Sequence, residues 1–113
     1  MLGLYILVVD IVATDDSISL EGFQHEVSEC LSYLHALKGS FDRVPCSITY
    51  YPPYESLDNP DFGRWSLRAV VSISLGKQRA DYLHTLYKGV SKLIAMELPH
   101  SEIRAEISGF QFS

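Results

Sequence analysis

Along this chain the spacing of apolar residues switches between a two-residue and a three-to-four-residue rhythm. The order of those switches is strand, helix, strand, strand, helix, strand. No other feature restricts the fold so strongly, because each period commits its segment to one kind of face. The first segment, about Leu2 to Thr14, is rich in Val, Ile and Leu at both odd and even positions, with Asp10 as its one charge. It reads as a central strand. Leu20, Phe23, Val27, Cys30, Leu31, Leu34 and Leu37 then form one helical stripe, opposite Glu21, Gln24, His25, Ser28, Glu29 and Ser32. Thr14-Asp15-Asp16-Ser17 supplies turn and helix-start chemistry before it, and Lys38-Gly39 suits its last turn and C-cap.

Val44, Cys46, Ile48 and Tyr50 alternate with Pro45, Ser47, Thr49 and Tyr51, and Pro45 favours an edge position for that strand, since proline cannot donate to a ladder. Trp65, Leu67, Ala69, Val71, Ile73 and Leu75 alternate with Arg64, Ser66, Arg68, Val70, Ser72 and Ser74 in the third strand. A second helical stripe runs through Leu83, Leu86, Tyr87, Val90, Leu93, Ile94, Glu97 and Leu98 until Pro99 stops it. Gly89 within that helix predicts a close packing contact. Ile103, Ala105 and Ile107 mark the last strand, and a bulge at Gly109 is expected to bring Phe110 and Phe112 into its apolar phase.

A chain of 113 residues is a single domain, 1–113. Two right-handed crossovers of this order predict an α+β ferredoxin-like sandwich, a four-stranded antiparallel sheet with two helices on one face. The first and third strands are central, and one sheet face is left open. If the odd residues of strand one face the helices, the open face carries Leu4, Ile6, Val8, Asp10 and Val12. Arg68 and Val70 from strand three lie beside them, and Arg104 and Glu106 flank them. A solvated sheet face is ordinarily polar. An apolar band there marks a homodimer seam, a partner site centred on Ile6, Val8, Asp10, Arg68 and Arg104, or cover by the chain's own loop. Asp10 reads as half of a cross-strand ion pair with Arg68 or Arg104; the alternative is a general base with apolar neighbours.

The segment 51–63 is longer than a hairpin requires. It combines Tyr51, Tyr54 and Phe62 with Glu55, Asp58 and Asp61, includes three prolines and has Trp65 at its base. Aromatic groups give contact area at small entropic cost, and acids steer a basic partner. The same loop could instead fold back as cover for the sheet end.

The net charge of −5 opposes non-specific binding to nucleic acid or anionic membranes. It is unevenly spread: residues 1–63 hold ten acids against two bases, or −8, and residues 64–113 hold seven bases against four acids, or +3. The apolar first segment has no base before it and is shorter than the roughly 20 residues of a membrane span, so a cytoplasmic protein is expected. Cys30 and Cys46 read as reduced core thiols.

Neither a phosphate loop, a nucleophile elbow nor a metal spacing occurs, and no cofactor is expected. Strand three lacks the Gly and Phe pattern of an RNA-recognition domain, and neither Cys-x-x-Cys nor a Gly-rich anion loop follows strand one. The leading expectation is therefore a small acidic binding protein, of inhibitor, immunity or antitoxin type, that masks a basic partner such as a nuclease toxin. It would make contact through Tyr51, Tyr54, Glu55, Asp58, Asp61, Phe62 and Trp65. The alternative is a small dimeric enzyme or ligand-binding domain for an apolar molecule, using Asp10, His25, His84, Tyr50 and Trp65.

Overall fold

The computed structural model describes residues 2–15, 17–51, 65–76 and 79–112. Six elements follow in the order expected: β1 (Leu2–Ala13), α1 (Leu20–Gly39), β2 (Cys46–Tyr51), β3 (Ser66–Leu75), α2 (Arg79–Ile94) and β4 (Ser101–Phe112). The strands form one antiparallel sheet in the order β2-β3-β1-β4, so β1 and β3 are central and the fold is ferredoxin-like.

The pleat assigns side chains to faces. Tyr5, Leu7, Val9 and Ile11 of β1 and Leu67, Ala69, Val71, Ile73 and Leu75 of β3 are buried under the helices. They meet Phe23, Val27, Cys30, Leu34 and Leu37 of α1 and Leu86, Val90 and Leu93 of α2 in one core. Each large side chain removed from water there contributes about 1.5–3 kcal/mol. Phe23 has no exposed surface, and Phe23→Ala would cost about 3–5 kcal/mol through lost transfer energy and the cavity left behind. The helices approach closely at Gly89: a Cβ there would lie 2.6 Å from Leu37 Cδ1. Tyr33 of α1 donates its hydroxyl to the Gly89 carbonyl at 3.0 Å. The packing contact read from Gly89 is present.

Three boundaries differ from the sequence reading. First, α1 is capped by Ser19, whose hydroxyl accepts the Gly22 N–H at 3.0 Å, and it ends on Ser40. The earlier Asp15 instead closes its own turn by accepting the Ser17 N–H at 2.9 Å. Second, α2 stops at Ile94, before Pro99. At 100° per residue a longer helix would bring Glu97 into the same arc as Leu86 and Leu93; ending early leaves Glu97 exposed. Tyr87 and Ile94, expected on the apolar stripe, are 55% and 53% exposed. Third, β4 has no bulge. Its register with β1 is unbroken from Ser101 opposite Ala13 to Phe112 opposite Leu2. Gly109 serves another purpose: a Cβ there would lie 2.7 Å from Tyr5 Cε1, so the missing side chain makes room for a buried ring. Phe110 consequently shares the open face with Arg104, Glu106 and Ser108.

Candidate protein-interaction face

The face opposite the helices is built from the even positions of β1. Leu4, Ile6, Val8, Asp10 and Val12 are each half-buried, whereas the odd positions between them are buried. The register lays out the neighbouring strands as rows across the sheet. Phe110 and Ser74 flank Leu4, Ser108 and Ser72 flank Ile6, and Glu106 and Val70 flank Val8. Asp10 lies between Arg104 on β4 and Arg68 on β3, with Tyr51 of β2 beyond Arg68. Phe110 is 49% exposed and Tyr51 is 55% exposed.

The face thus has an apolar end and a charged end. At the charged end Arg68 grips Asp10 with two bonds, Nε to Oδ1 at 2.7 Å and Nη2 to Oδ2 at 3.1 Å. The carboxylate raises the guanidinium pKa further, chiefly through the hydrogen bond. Arg104 turns instead to Glu102 on its own strand, at 3.1 Å. Two shallow depressions, of about 490 and 460 Å³, share Asp10, Arg68 and Arg104 in their linings. Because both Asp10 oxygens hold the Arg68 fork, the cross-strand ion pair is the geometry present.

Of the residues assigned to partner contact, Tyr54, Glu55, Asp58, Asp61 and Phe62 lie outside the described residues. Tyr51 projects from the open face. Trp65 is half-buried, packs against the core and donates its indole N–H to the Ile18 carbonyl at 3.3 Å. Ile6, Val8, Asp10, Arg68 and Arg104 share the one face.

The side chains proposed for the alternative enzyme are dispersed. Asp10 is on the open face, whereas Tyr50 is on the helix side and meets His35 Nε2 through its hydroxyl at 3.0 Å. His25 sits 3.7 Å from Glu29 on the exposed side of α1. His84 borders a cleft between the helices with Lys88 and Lys92. Both cysteines are free thiols; burial pushes Cys30 to about 11 and raises Cys46. No group of three or more potential metal ligands forms among the described residues.

Sequence reasoning missed a polar cluster at the sheet end. Glu26 of α1 is 5% exposed, and its carboxylate accepts the His100 backbone N–H at 2.9 Å and lies 3.4 Å from His100 Nδ1. Asp15 is 3.8 Å from His100 Nε2. Ser17 gives its hydroxyl to Asp15 at 2.6 Å and not to the imidazole, and the cluster ties α1 to the start of β4. Glu26 precedes Val27 on the core stripe, and that adjacency was its one signal in the sequence.

No family model matches the sequence, and comparison with curated proteins finds no match. Among solved structures, the chain is similar over 99% of its length to part of a hydantoinase/carbamoylase family amidase from Burkholderia phymatum, with a TM-score of 0.55 and 9% identity. The corresponding amidase from Burkholderia ambifaria gives 0.53 and 11%, again over 99% of this chain. The chain spans only 29% and 28% of those two proteins. At such identities the likeness is one of fold.

Proposed function

We propose that this chain is a protein-binding module whose contact surface is the open face of its sheet, and that its partner is a protein with a basic surface. The observation that carries this reading is the column Leu4, Ile6 and Val8, half-exposed in the middle of a sheet whose solvent face should be polar. Four strands about 4.8 Å apart, of 12, 6, 10 and 12 residues at ~3.3 Å each, present roughly 600 Å². That approaches the ~800 Å² per partner of a standard interface. Burial of this column would supply the apolar centre, and the Asp10–Arg68 end would form a polar rim.

Charge favours a different protein over a second copy at this face. A second copy would stack two bodies of −5 each. A basic partner would be drawn in by the −8 of residues 1–63, of which Glu55, Asp58 and Asp61 are the segment joining β2 to β3. An inhibitor, immunity or antitoxin-like role fits such a module, since masking a basic enzyme needs a surface and no chemistry of its own.

The test is quantitative affinity capture from the native cell extract with the wild type and Ile6→Glu, at low and high salt. Ile6 lies outside the helix-side core, so the variant keeps the fold, as circular dichroism would verify. A basic protein retained by the wild type should be lost from the variant and weakened by salt. Equal recovery on both would sink the assignment of this face.

A further inference from the structure

Among the described residues the sheet has a second unpartnered feature, independent of its open face. β4 is an edge strand of twelve residues, hydrogen-bonded on one side to β1. Beside it runs the flank of α2 that faces away from α1. Since Gly89 touches Leu37 of α1, residues about 140–160° around the helix from it point away from α1; these are Tyr87 and Ile94, 55% and 53% exposed. Ile94 shares a cleft of about 520 Å³ with Ser101, Glu102 and Ile103, so the exposed flank and the strand edge are continuous.

We infer that this edge is the interface between two copies of the chain, with β4 pairing antiparallel to β4 of the partner about a two-fold axis at Ala105. The charges on the strand select that register. Centred on Ala105, Arg104 of each copy lies opposite Glu106 of the other, Ile103 lies opposite Ile107, and nine residues pair from Ser101 to Gly109. Centred on Arg104, that residue would face itself and Glu102 would face Glu106; centred on Glu106, that residue would face itself. Like charges directly opposite are destabilising, and opposite charges are favourable. A register centred on Ile103 would also join Glu102 to Arg104, but β4 begins at Ser101, so only five residues could pair. Centred on Ile107, no opposite charges meet.

The net charge of −5 opposes pairing of two copies through any surface, but this edge is locally neutral. Residues 79–112, which hold α2 and β4, carry four bases (Arg79, Lys88, Lys92, Arg104) and four acids (Asp81, Glu97, Glu102, Glu106). Glu106 forms no ion pair among the described residues, whereas Arg104 holds Glu102 at 3.1 Å, so meeting Glu106 across the axis makes Arg104 share or exchange that exposed contact. The axis stands perpendicular to the sheet, which becomes an eight-stranded one with both helical layers on one side. Both open faces then lie side by side on the other.

Sedimentation equilibrium of the full chain tests this. The wild type should have twice the 12.7 kDa chain mass at micromolar to near-millimolar concentration. Arg104→Glu and Glu106→Arg, each of which sets like charges across the axis twice, should weaken the dimer about tenfold or more. The double variant Arg104→Glu/Glu106→Arg should restore it, and Ile94→Lys should weaken it independently. A monomeric wild type, a dimer unmoved by the single reversals, or a double variant that fails to recover would overturn the inference. So would a dimer lost with Ile6→Glu but kept with Arg104→Glu, which would place the second copy on the open face.

Discussion

Gly109 and Asp15 show how far one residue's environment decides its role. Gly109 sits under the buried ring of Tyr5, where a Cβ would come within 2.7 Å of Cε1. An aromatic ring cannot swing its end aside as a leucine can. Gly109→Ala should therefore destabilise the fold by about 1–3 kcal/mol in urea unfolding through overpacking; a neutral result would show that the ring has room to move. At Asp15, the hydroxyl and then the N–H of Ser17 hold the carboxyl below its usual 3.8. A depressed carboxylate stabilises the fold above its unfolded value, and that contribution disappears as pH falls through the lowered one. Ser17→Ala should move the Asp15 midpoint up towards 3.8 in an NMR titration, and an unchanged midpoint would count against the hydrogen bonds. Glu26 is the most demanding single side chain, because it is a carboxylate inside the core edge. Glu26→Ala leaves the His100 N–H without its acceptor and should cost about 1–3 kcal/mol of stability.

At the scale of elements, periodicity carried most of the information. Strand β3 alternates cleanly because one of its faces is wet and the other buried, so its parity was legible from Arg68 and Val70 against Leu67 and Ala69. Strand β1 was legible as central, but its two apolar faces gave no parity by themselves; Asp10 and the pairing with β3 resolve it. The ends of the helices were less legible, since α2 stops where Glu97 would enter the core and not where Pro99 forbids continuation. The bulge assigned to Gly109 came from treating Phe110 as a core residue. Alternation carried forward from Ile107 through Ser108 and Gly109 places it on the open face, which is the simpler geometry. Element packing also sets thiol reactivity. Cys30 lies on the buried stripe of α1 with its thiol near 11, whereas Cys46 opens the edge strand β2 and is half-buried. Alkylation of the native protein at mild pH should label Cys46 well before Cys30; equal rates would mean that α1 opens readily.

Considered as a whole molecule, the fold divides labour between two surfaces. The helical layer encloses the core; in the proposed arrangement the β4 edge and α2 flank form a locally neutral seam for a second copy, and the open face offers its apolar column to a different protein. The column itself was visible in the sequence as Leu4, Ile6 and Val8, but the exposure of Tyr87 and Ile94 was not, because a helical stripe does not say which flank lacks a neighbour. Among the described residues no helix is long and apolar enough to cross a membrane. Charge reversal of Glu55, Asp58 and Asp61 should slow association with a basic partner and weaken its salt dependence, with a smaller effect on dissociation; stopped-flow mixing at two ionic strengths would measure both. The most direct measurement is hydroxyl-radical footprinting of the captured complex against the free protein. Leu4, Ile6, Val8 and Phe110 should lose reactivity when the partner binds, while Tyr87 and Ile94 keep the rate they have without it. Unchanged oxidation along β1 in a saturated complex would contradict the open face as the binding surface.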